Sequence, residues 1–145
     1  MSNFLKHETI EDVKREVIAI LQKDNWKEIL CTTPKGTYVN PYQEARAVVI
    51  SAKLAPVGMF ESEQFCDAML KQAILENLDN IARFVIKGMP MKNFVTEYEE
   101  NIGFVVQIVS DTQITKTTTY KTALCVSRHK DSEVGFCISM FTPVL

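Results

Sequence analysis

The sequence predicts an α+β domain, in which N-terminal helices and one long helix precede a C-terminal antiparallel β-meander. Apolar residues recur at helical spacing as far as Gly88. After Pro90 they alternate with polar residues at a period of two. Helices followed by a run of strands are typical of the α+β class. With 145 residues, the chain has the length of one ordinary domain, which we predict to span residues 1–145.

The composition is that of a globular protein without the positive net charge typical of non-specific nucleic-acid binding. Hydrophobic residues make up 46% and charged residues 23%, both near the globular average. The net charge of −2 provides no general attraction for a polyanion, so no DNA partner is expected. A local basic cleft remains compatible with this charge. No segment has the length or apolar character of a signal peptide or a membrane span, so we expect a cytoplasmic protein without membrane contact.

The first helix is predicted to begin after Thr9, whose hydroxyl suits an N-cap position, and to end at Asp24–Asn25. Pro34–Gly36 predicts a turn, after which Thr37–Val39 has the character of a short strand. A further helix is expected from Pro41 to about Lys53. The β-branched run within that range would also suit a buried strand.

The strongest predicted helix begins after Ser62, an N-cap residue. Its apolar residues step by three or four and form one stripe: Leu70, Ile74, Leu78, Ile81 and Val85. The length of the pattern predicts a break near Asp79–Asn80. Gly88 suits a left-handed C-cap, and Pro90 prevents the helix from continuing.

Strands are predicted for the four period-two segments, Phe94–Tyr98, Phe104–Val109, Thr117–Val126 and Val134–Pro143. In the third segment, Tyr120, Thr122, Leu124 and Val126 are expected to share one face. In the fourth, Phe136, Ile138 and Met140 are expected to do so.

The four cysteines form no C-x-x-C pair, which favours buried free thiols in a reducing compartment. If the final hairpin turned symmetrically about Asp131, Cys125 and Cys137 would face each other. A disulfide between them would then be possible under oxidising conditions.

The sequence predicts neither a metal centre nor a bound cofactor. The two histidines, His7 and His129, have no acid or cysteine at ligand spacing. Nucleotide-binding and serine-hydrolase motifs are absent. Glu97 and Glu99 would share a strand face, and we interpret them as part of a solvated sheet surface.

The order of elements after residue 58 carries a resemblance. Met59-Phe60-Glu61-Ser62 precedes a helix that ends in Ile86-Lys87-Gly88, and an acidic-aromatic strand, Phe94–Glu99, follows before Gly103. The chain closes with Gly135-Phe136-Cys137-Ile138 and Pro143. This pattern resembles the ribonuclease-A-like toxin domain at the C-termini of bacterial contact-dependent growth inhibition effectors. The resemblance covers about residues 58–145, whereas the helical part before it, residues 1–55, matches no recognised family.

The resemblance implies a toxin that cleaves RNA without metal. In that family an early His, an early Arg, and a Thr and a Tyr on the closing strand form the site. Such groups would move the protons of the 2′-hydroxyl and the leaving oxygen and stabilise the phosphorane.

Carried over to this chain, the family pattern is incomplete. Arg46 corresponds to the early Arg, but the early His is missing. With a one-residue slip Ser139 stands at the Thr position, and without the slip Thr142 stands at the Tyr position. Lys121 is a candidate to hold a phosphate together with Arg46. His129 is a candidate acid-base group if its turn folds over the cleft.

Three hypotheses follow from the sequence. The chain is a ribonuclease toxin that acts on RNA through an altered site. Alternatively, it is a non-catalytic protein-binding module on the same fold, of immunity or inhibitor type, whose partner is a cognate immunity protein or toxin. The third hypothesis is an unrelated soluble α+β domain. The missing histidine and the mild acidity favour the second.

Overall fold

The structure, a computed structural model, describes residues 9–42, 49–50, 52–53 and 55–145 and confirms the α+β class. Arg46 and most of the helix predicted for residues 41–53 lie outside these residues. The described helices are α1 (Ile10–Leu21), α2 (Trp26–Leu30), α3 (Glu63–Glu76) and α4 (Leu78–Lys87). The described strands are β1 (Val57–Met59), β2 (Met91–Glu97), β3 (Gly103–Ser110), β4 (Gln113–Thr119), β5 (Lys121–Arg128) and β6 (Phe136–Val144).

The predicted helix caps are confirmed. The Thr9 hydroxyl accepts a hydrogen bond from the Asp12 backbone N–H at 3.1 Å, and the Ser62 hydroxyl accepts one from Phe65 N–H at 3.1 Å. The long helix breaks at Asn77, two residues before the predicted position. Gly88 ends α4 with φ +68°, in the left-handed region that favours glycine.

Helix α1 ends three residues earlier than predicted, at Leu21. The predicted strand Thr37–Val39 is reduced to one bridge between Thr32 and Tyr38. The first difference lies just before the short helix α2, and the second lies just after it.

The strands form two antiparallel three-stranded sheets, in the orders β1-β3-β4 and β2-β5-β6. The prediction of one continuous strand over Thr117–Val126 is wrong, because Tyr120 separates β4 from β5 and the chain changes sheets there. Two backbone hydrogen bonds hold the crossing, from Ile102 N–H to Thr119 C=O at 2.9 Å and from Tyr98 N–H to Tyr120 C=O at 2.8 Å. The C-terminal strands therefore do not follow one another in a single simple meander.

A bulge in β6 changes which side chains face the core. Cys125 is opposite Met140 but Val126 is opposite Ile138, so Ser139 is the extra residue. The expectation that Met140 shares a face with Phe136 and Ile138 is therefore wrong. Phe141 takes the core position instead and is 3% exposed, whereas Met140 is 42% exposed.

The main core lies between the helices and one face of the β2-β5-β6 sheet, where Leu124 and Val126 of β5 are fully buried. Lys14 on α1 forms an ion pair with Asp79 on α4 at 2.7 Å. Lys27 on α2 forms one with Asp67 on α3 at 2.9 Å. Burial opposes the charge of Lys27, but the hydrogen bond and the charge of Asp67 outweigh it and raise the pKa of the lysine. No helix among the described residues has the length and apolar character needed to cross a membrane.

The four cysteines are free and buried. Because Cys137 is opposite Ser127, and Cys125 is opposite Met140, the two cysteines do not face each other as the symmetric turn would require. The off-centre turn causes this difference, because it already places Cys137 opposite Ser127 on the turn side of the bulge. Burial raises the pKa of the Cys31 thiol and of the Cys66 thiol to about 12 each.

These buried thiols should make the protein less stable at alkaline pH. In the unfolded chain a cysteine ionises near pH 8.5, whereas in the folded protein Cys31 and Cys66 stay protonated. Their contribution is therefore fully present below about pH 8.5 and is lost as the pH rises toward 12, by up to about 1.4 kcal/mol per pH unit for each thiol. We expect urea unfolding at pH 8.5–10.5 to show a falling free energy. The variant Cys31→Ala/Cys66→Ala should have a shallower slope, and an equal slope would contradict this account.

Candidate functional site

A groove lies beside the closing strand β6, where the predicted phosphate site would be located. It has a volume of about 470 Å³ and is lined by residues of β1, β3, β6 and their flanks: Pro56, Val57, Gly58, Val105, Met140, Thr142, Pro143, Val144 and Leu145. None of these described lining residues carries a positive charge. Cations and convergent N–H donors bind a phosphate. Because the lining of this groove, which we call the closing-strand groove, is mainly apolar, it suits an apolar ligand better than a phosphate.

Glycine at position 58 allows β1 to approach β6 closely. A Cβ atom built there would lie 2.0 Å from the Pro143 carbonyl oxygen and 2.5 Å from the Thr142 hydroxyl oxygen. A side chain would therefore displace β6. The close contact brings the two sheets together at the groove.

The groove opens onto the side of the β2-β5-β6 sheet that faces away from the helices, which we call the outer face. The strand registers place alternate side chains there: Met91, Asn93, Val95 and Glu97 of β2, Lys121, Ala123, Cys125 and Ser127 of β5, and Cys137, Met140, Thr142 and Val144 of β6. Val95 is 62% exposed and Met91 57% exposed. Ala123 and Cys125 form a buried apolar floor between them.

Ser139 is engaged in structural hydrogen bonds. Its hydroxyl lies 3.0 Å from the Ser127 hydroxyl and donates to the Cys125 carbonyl at 3.3 Å. These bonds hold the bulge against β5. In this state the Ser139 hydroxyl is committed to the sheet.

His129 lies in the turn between β5 and β6 and is half-buried. Its backbone N–H donates to the Gly135 carbonyl at 3.0 Å, which closes the turn. Its Nδ1 atom is buried and has no hydrogen-bond partner among the described residues. The turn lies at the end of β5 remote from the closing-strand groove.

Lys121 and Thr142 are the two predicted residues that the structure brings near each other. Lys121 begins β5 opposite Val144 on one side and Glu97 on the other, and Thr142 is opposite Ala123. Such diagonal neighbours have Cα atoms about 7–8 Å apart. The carboxylate of Glu97 beside Lys121 reduces the local positive charge.

The predicted site residues are otherwise spread along the strands. With a rise of about 3.4 Å per residue, Ser139 lies roughly 15 Å from Lys121, and His129 lies farther away. Acid-base catalysis needs groups within hydrogen-bond reach of the same reacting atoms. The described candidates do not form such a set, and the part assigned to Arg46 stays a prediction. No group of three or more metal-ligating side chains occurs in the described parts of the chain.

The apolar outer face was not predicted from the sequence. The alternation Met91, Asn93, Val95, Glu97 places two apolar residues on the polar side of β2, and this was the available signal. The bulge that exposes Met140 had none, because it depends on the register between β5 and β6. Glu97 and Glu99, which we interpreted as part of a solvated sheet surface, line a separate open groove of about 480 Å³. This groove lies between α3 and the β2–β3 connection, and Glu76 and Glu100 line it as well.

Thr119 fixes the end of the closing strand to the sheet crossing. Its side chain is 4% exposed, and its hydroxyl donates to the Val144 carbonyl and accepts from Lys121 N–H at 3.2 Å. One hydroxyl thus joins β4, β5 and β6 at the edge of the closing-strand groove.

Comparison with known proteins shows a likeness of fold. No protein-family model matches this chain, and no curated protein matches it. The chain is similar to a chain of the crystal structure of a CdiA-CT/CdiI complex from Y. kristensenii 33638, with a TM-score of 0.57 and 16% identity. The match covers 71% of this chain and 92% of that chain. At this identity the likeness concerns the fold alone.

Replacing Thr119 by valine should loosen the closing strand. The change keeps the β-branched shape but leaves a buried carbonyl and a backbone N–H without their partner, which costs about 1–3 kcal/mol of unfolding free energy. Thr117→Val is the matched control, since Thr117 lies two residues earlier on the same face of β4 and is exposed. Chemical denaturation of both variants checks this. Equal stability of the two variants would contradict the proposed role of the hydroxyl.

Proposed function

We propose that this chain is a non-catalytic protein-binding domain of the contact-dependent growth inhibition type, which binds a protein partner through the outer face. The observation that carries the proposal is the exposed apolar surface of β2 and β6. It adjoins a groove whose described lining residues hold no cation. This surface suits contact with protein side chains better than contact with a polyanion.

The chemistry of the outer face supports a protein interface. Met91, Val95 and Met140 surround the buried floor, and Glu97 and Lys121 lie at one end. Protein interfaces commonly combine an apolar centre rich in methionine with a polar rim. Burying such side chains is worth about 25 cal/mol per Å² of apolar surface. Leu145, 69% exposed at the closing-strand groove, extends this apolar area.

The likeness of fold supports a partner of this kind. The similar chain belongs to a CdiA-CT/CdiI complex, so a chain of this fold occurs there in a protein–protein complex. The fold is thus compatible with the toxin side or the immunity side of such a pair. The committed hydroxyl of Ser139 and the wide spacing of the predicted catalytic groups favour binding without catalysis.

Charged substitutions on the outer face should abolish partner binding. We expect Val95→Lys and Met140→Lys each to weaken binding at least tenfold, because each places an ammonium group in the apolar centre of the interface. The partner is the protein that co-purifies stoichiometrically from the native host, and affinities are measured by titration calorimetry. Leu75→Lys is the control, since Leu75 on α3 is 50% exposed and lies away from the outer face.

The two sets of variants give opposite expectations. Retained binding by Val95→Lys and Met140→Lys, with each variant folded by circular dichroism, would contradict the proposal. Equal loss in Leu75→Lys would do the same, because the effect would then not belong to the outer face.

Ribonuclease activity is the second candidate function. It is favoured by the proximity of Lys121 and Thr142 at the closing-strand groove, together with the family resemblance that includes Arg46. In this hypothesis Lys121 and Arg46 hold the phosphate of an RNA substrate, and the hydroxyls of the closing strand assist. The absence of the family's early histidine removes the group that normally moves the proton.

Incubation of the purified chain with transfer RNA and bulk RNA in EDTA separates the two candidates. We expect no cleavage above that of the Arg46→Ala/Lys121→Ala double variant. We also expect no growth arrest when the chain is expressed in a host cell without a partner. Metal-independent cleavage that the double variant loses would establish the ribonuclease hypothesis and overturn the non-catalytic one.

A further inference from the structure

Among the described residues, the outer edge of β4 is an accessible strand edge of the β1-β3-β4 sheet. β4 is the last strand in the order β1-β3-β4 and pairs with β3 alone among the described strands. Its residues from Gln113 to Thr118 are exposed except Thr115, which is half-buried. An edge of seven residues without proline presents a row of backbone N–H and C=O groups to any extended chain.

An apolar groove lies on one face of this edge. The register places Thr118 beside Phe104, Lys116 beside Val106 and Ile114 beside Ile108. The groove, of about 610 Å³, is lined in part by Phe104, Val106, Ile114, Lys116 and Thr118. Alternate side chains of a strand added to β4 would continue this face and contact Ile114, Lys116 and Thr118.

Lys116 selects the kind of strand that can be added. It stands at the centre of β4, and its Nζ lies 4.0 Å from the centre of the Phe104 ring. An antiparallel pairing of β4 with a second copy of itself about this centre would place Lys116 directly opposite Lys116. Like charges in that position are destabilising, whereas an opposite charge is stabilising. The edge therefore disfavours self-association and favours an acidic residue.

We propose that the outer edge of β4 binds an extended segment of a partner protein, which adds a strand to the sheet. The segment carries an acidic residue opposite Lys116 and apolar residues two positions before and after it, opposite Ile114 and Thr118. Because this spacing is symmetric about Lys116, it suits a parallel or an antiparallel strand. Main-chain hydrogen bonds provide the affinity, and the groove face provides the specificity. The surface is distinct from the outer face, so this inference does not rest on the proposed function.

Synthetic nine-residue peptides test the proposal on the full chain. One has a central Glu with Val two residues away on each side and Thr between them, and a second has Lys in place of Glu. We expect saturable binding of the Glu peptide, tighter than the Lys peptide by roughly two- to fivefold. The change Lys116→Glu should invert this order. Lys92→Glu is the matched control, because Lys92 is also an exposed strand lysine above a phenylalanine, with Nζ 5.4 Å from the Phe94 ring.

Backbone methylation of the peptide tests strand addition itself. Two forms of the Glu peptide are methylated on alternate amides, one on the Glu and Val residues and one on the Thr residues. Only one set of amides can face β4, so one form should lose binding and the other should keep it. Amide signals of Gln113–Thr119 should respond to the peptide in the wild type and in Val95→Lys.

Several outcomes would overturn the proposal. These are the absence of saturable binding, equal effects of the two methylated forms, or a peptide preference that Lys116→Glu leaves unchanged. Amide signals that respond to the peptide on β2 instead of β4 would also overturn the proposal. So would a dimer, detected by sedimentation analysis, that forms through β4. Since Val95→Lys does not touch β4, failure here and failure of the outer-face interface are distinguishable.

Discussion

The pairing of β5 with both β2 and β6 is the constraint on which the rest of the structure depends. β5 is the central strand of its sheet, and its residues Thr122–Val126 are all buried. On one side Leu124 and Val126 pack against the helices, and on the other Ala123 and Cys125 form the floor of the outer face. The core and the proposed binding surface are therefore two sides of the same strand, and a shift in its register would alter both.

The local features of the fold could be predicted from the sequence, because they depend on neighbouring residues. Thr9 and Ser62 cap helices through bonds to residues three positions later, and Gly88 ends α4 through its own backbone conformation. The period-two pattern similarly located β2, β3, β5 and β6, although it did not predict β1 or most of β4. The break in the long helix differed by only two residues from its predicted position.

The assignment of strands to sheets could not be predicted, because it depends on contacts between distant residues. Nothing in the Thr-rich run before Tyr120 marks the point at which the chain leaves one sheet for the other. The bulge at Ser139 likewise has no local signature. Its effect is large, since it directs Met140 outward and Phe141 inward. The off-centre turn places Cys137 opposite Ser127 and so separates it from Cys125.

For the site, the sequence suggested candidate residues but could not predict their mutual positions. Lys121 and Thr142 lie near each other as a consequence of the β5–β6 register, whereas Ser139 is committed to the bulge and His129 closes a turn. Residue type alone suggested a phosphate site. The arrangement favours a surface for protein contact, because its exposed members are mainly Met and Val and its charges lie at the margin.

Methionine-methyl NMR of the chain with its host partner tests this account most directly. Met91 and Met140 are exposed on the outer face, whereas Met69 lies in the helical core and Met89 precedes β2. The account predicts that the methyl signals of Met91 and Met140 shift when the partner is added, and that those of Met69 and Met89 do not. A bound partner that leaves the Met91 and Met140 signals unchanged would contradict it.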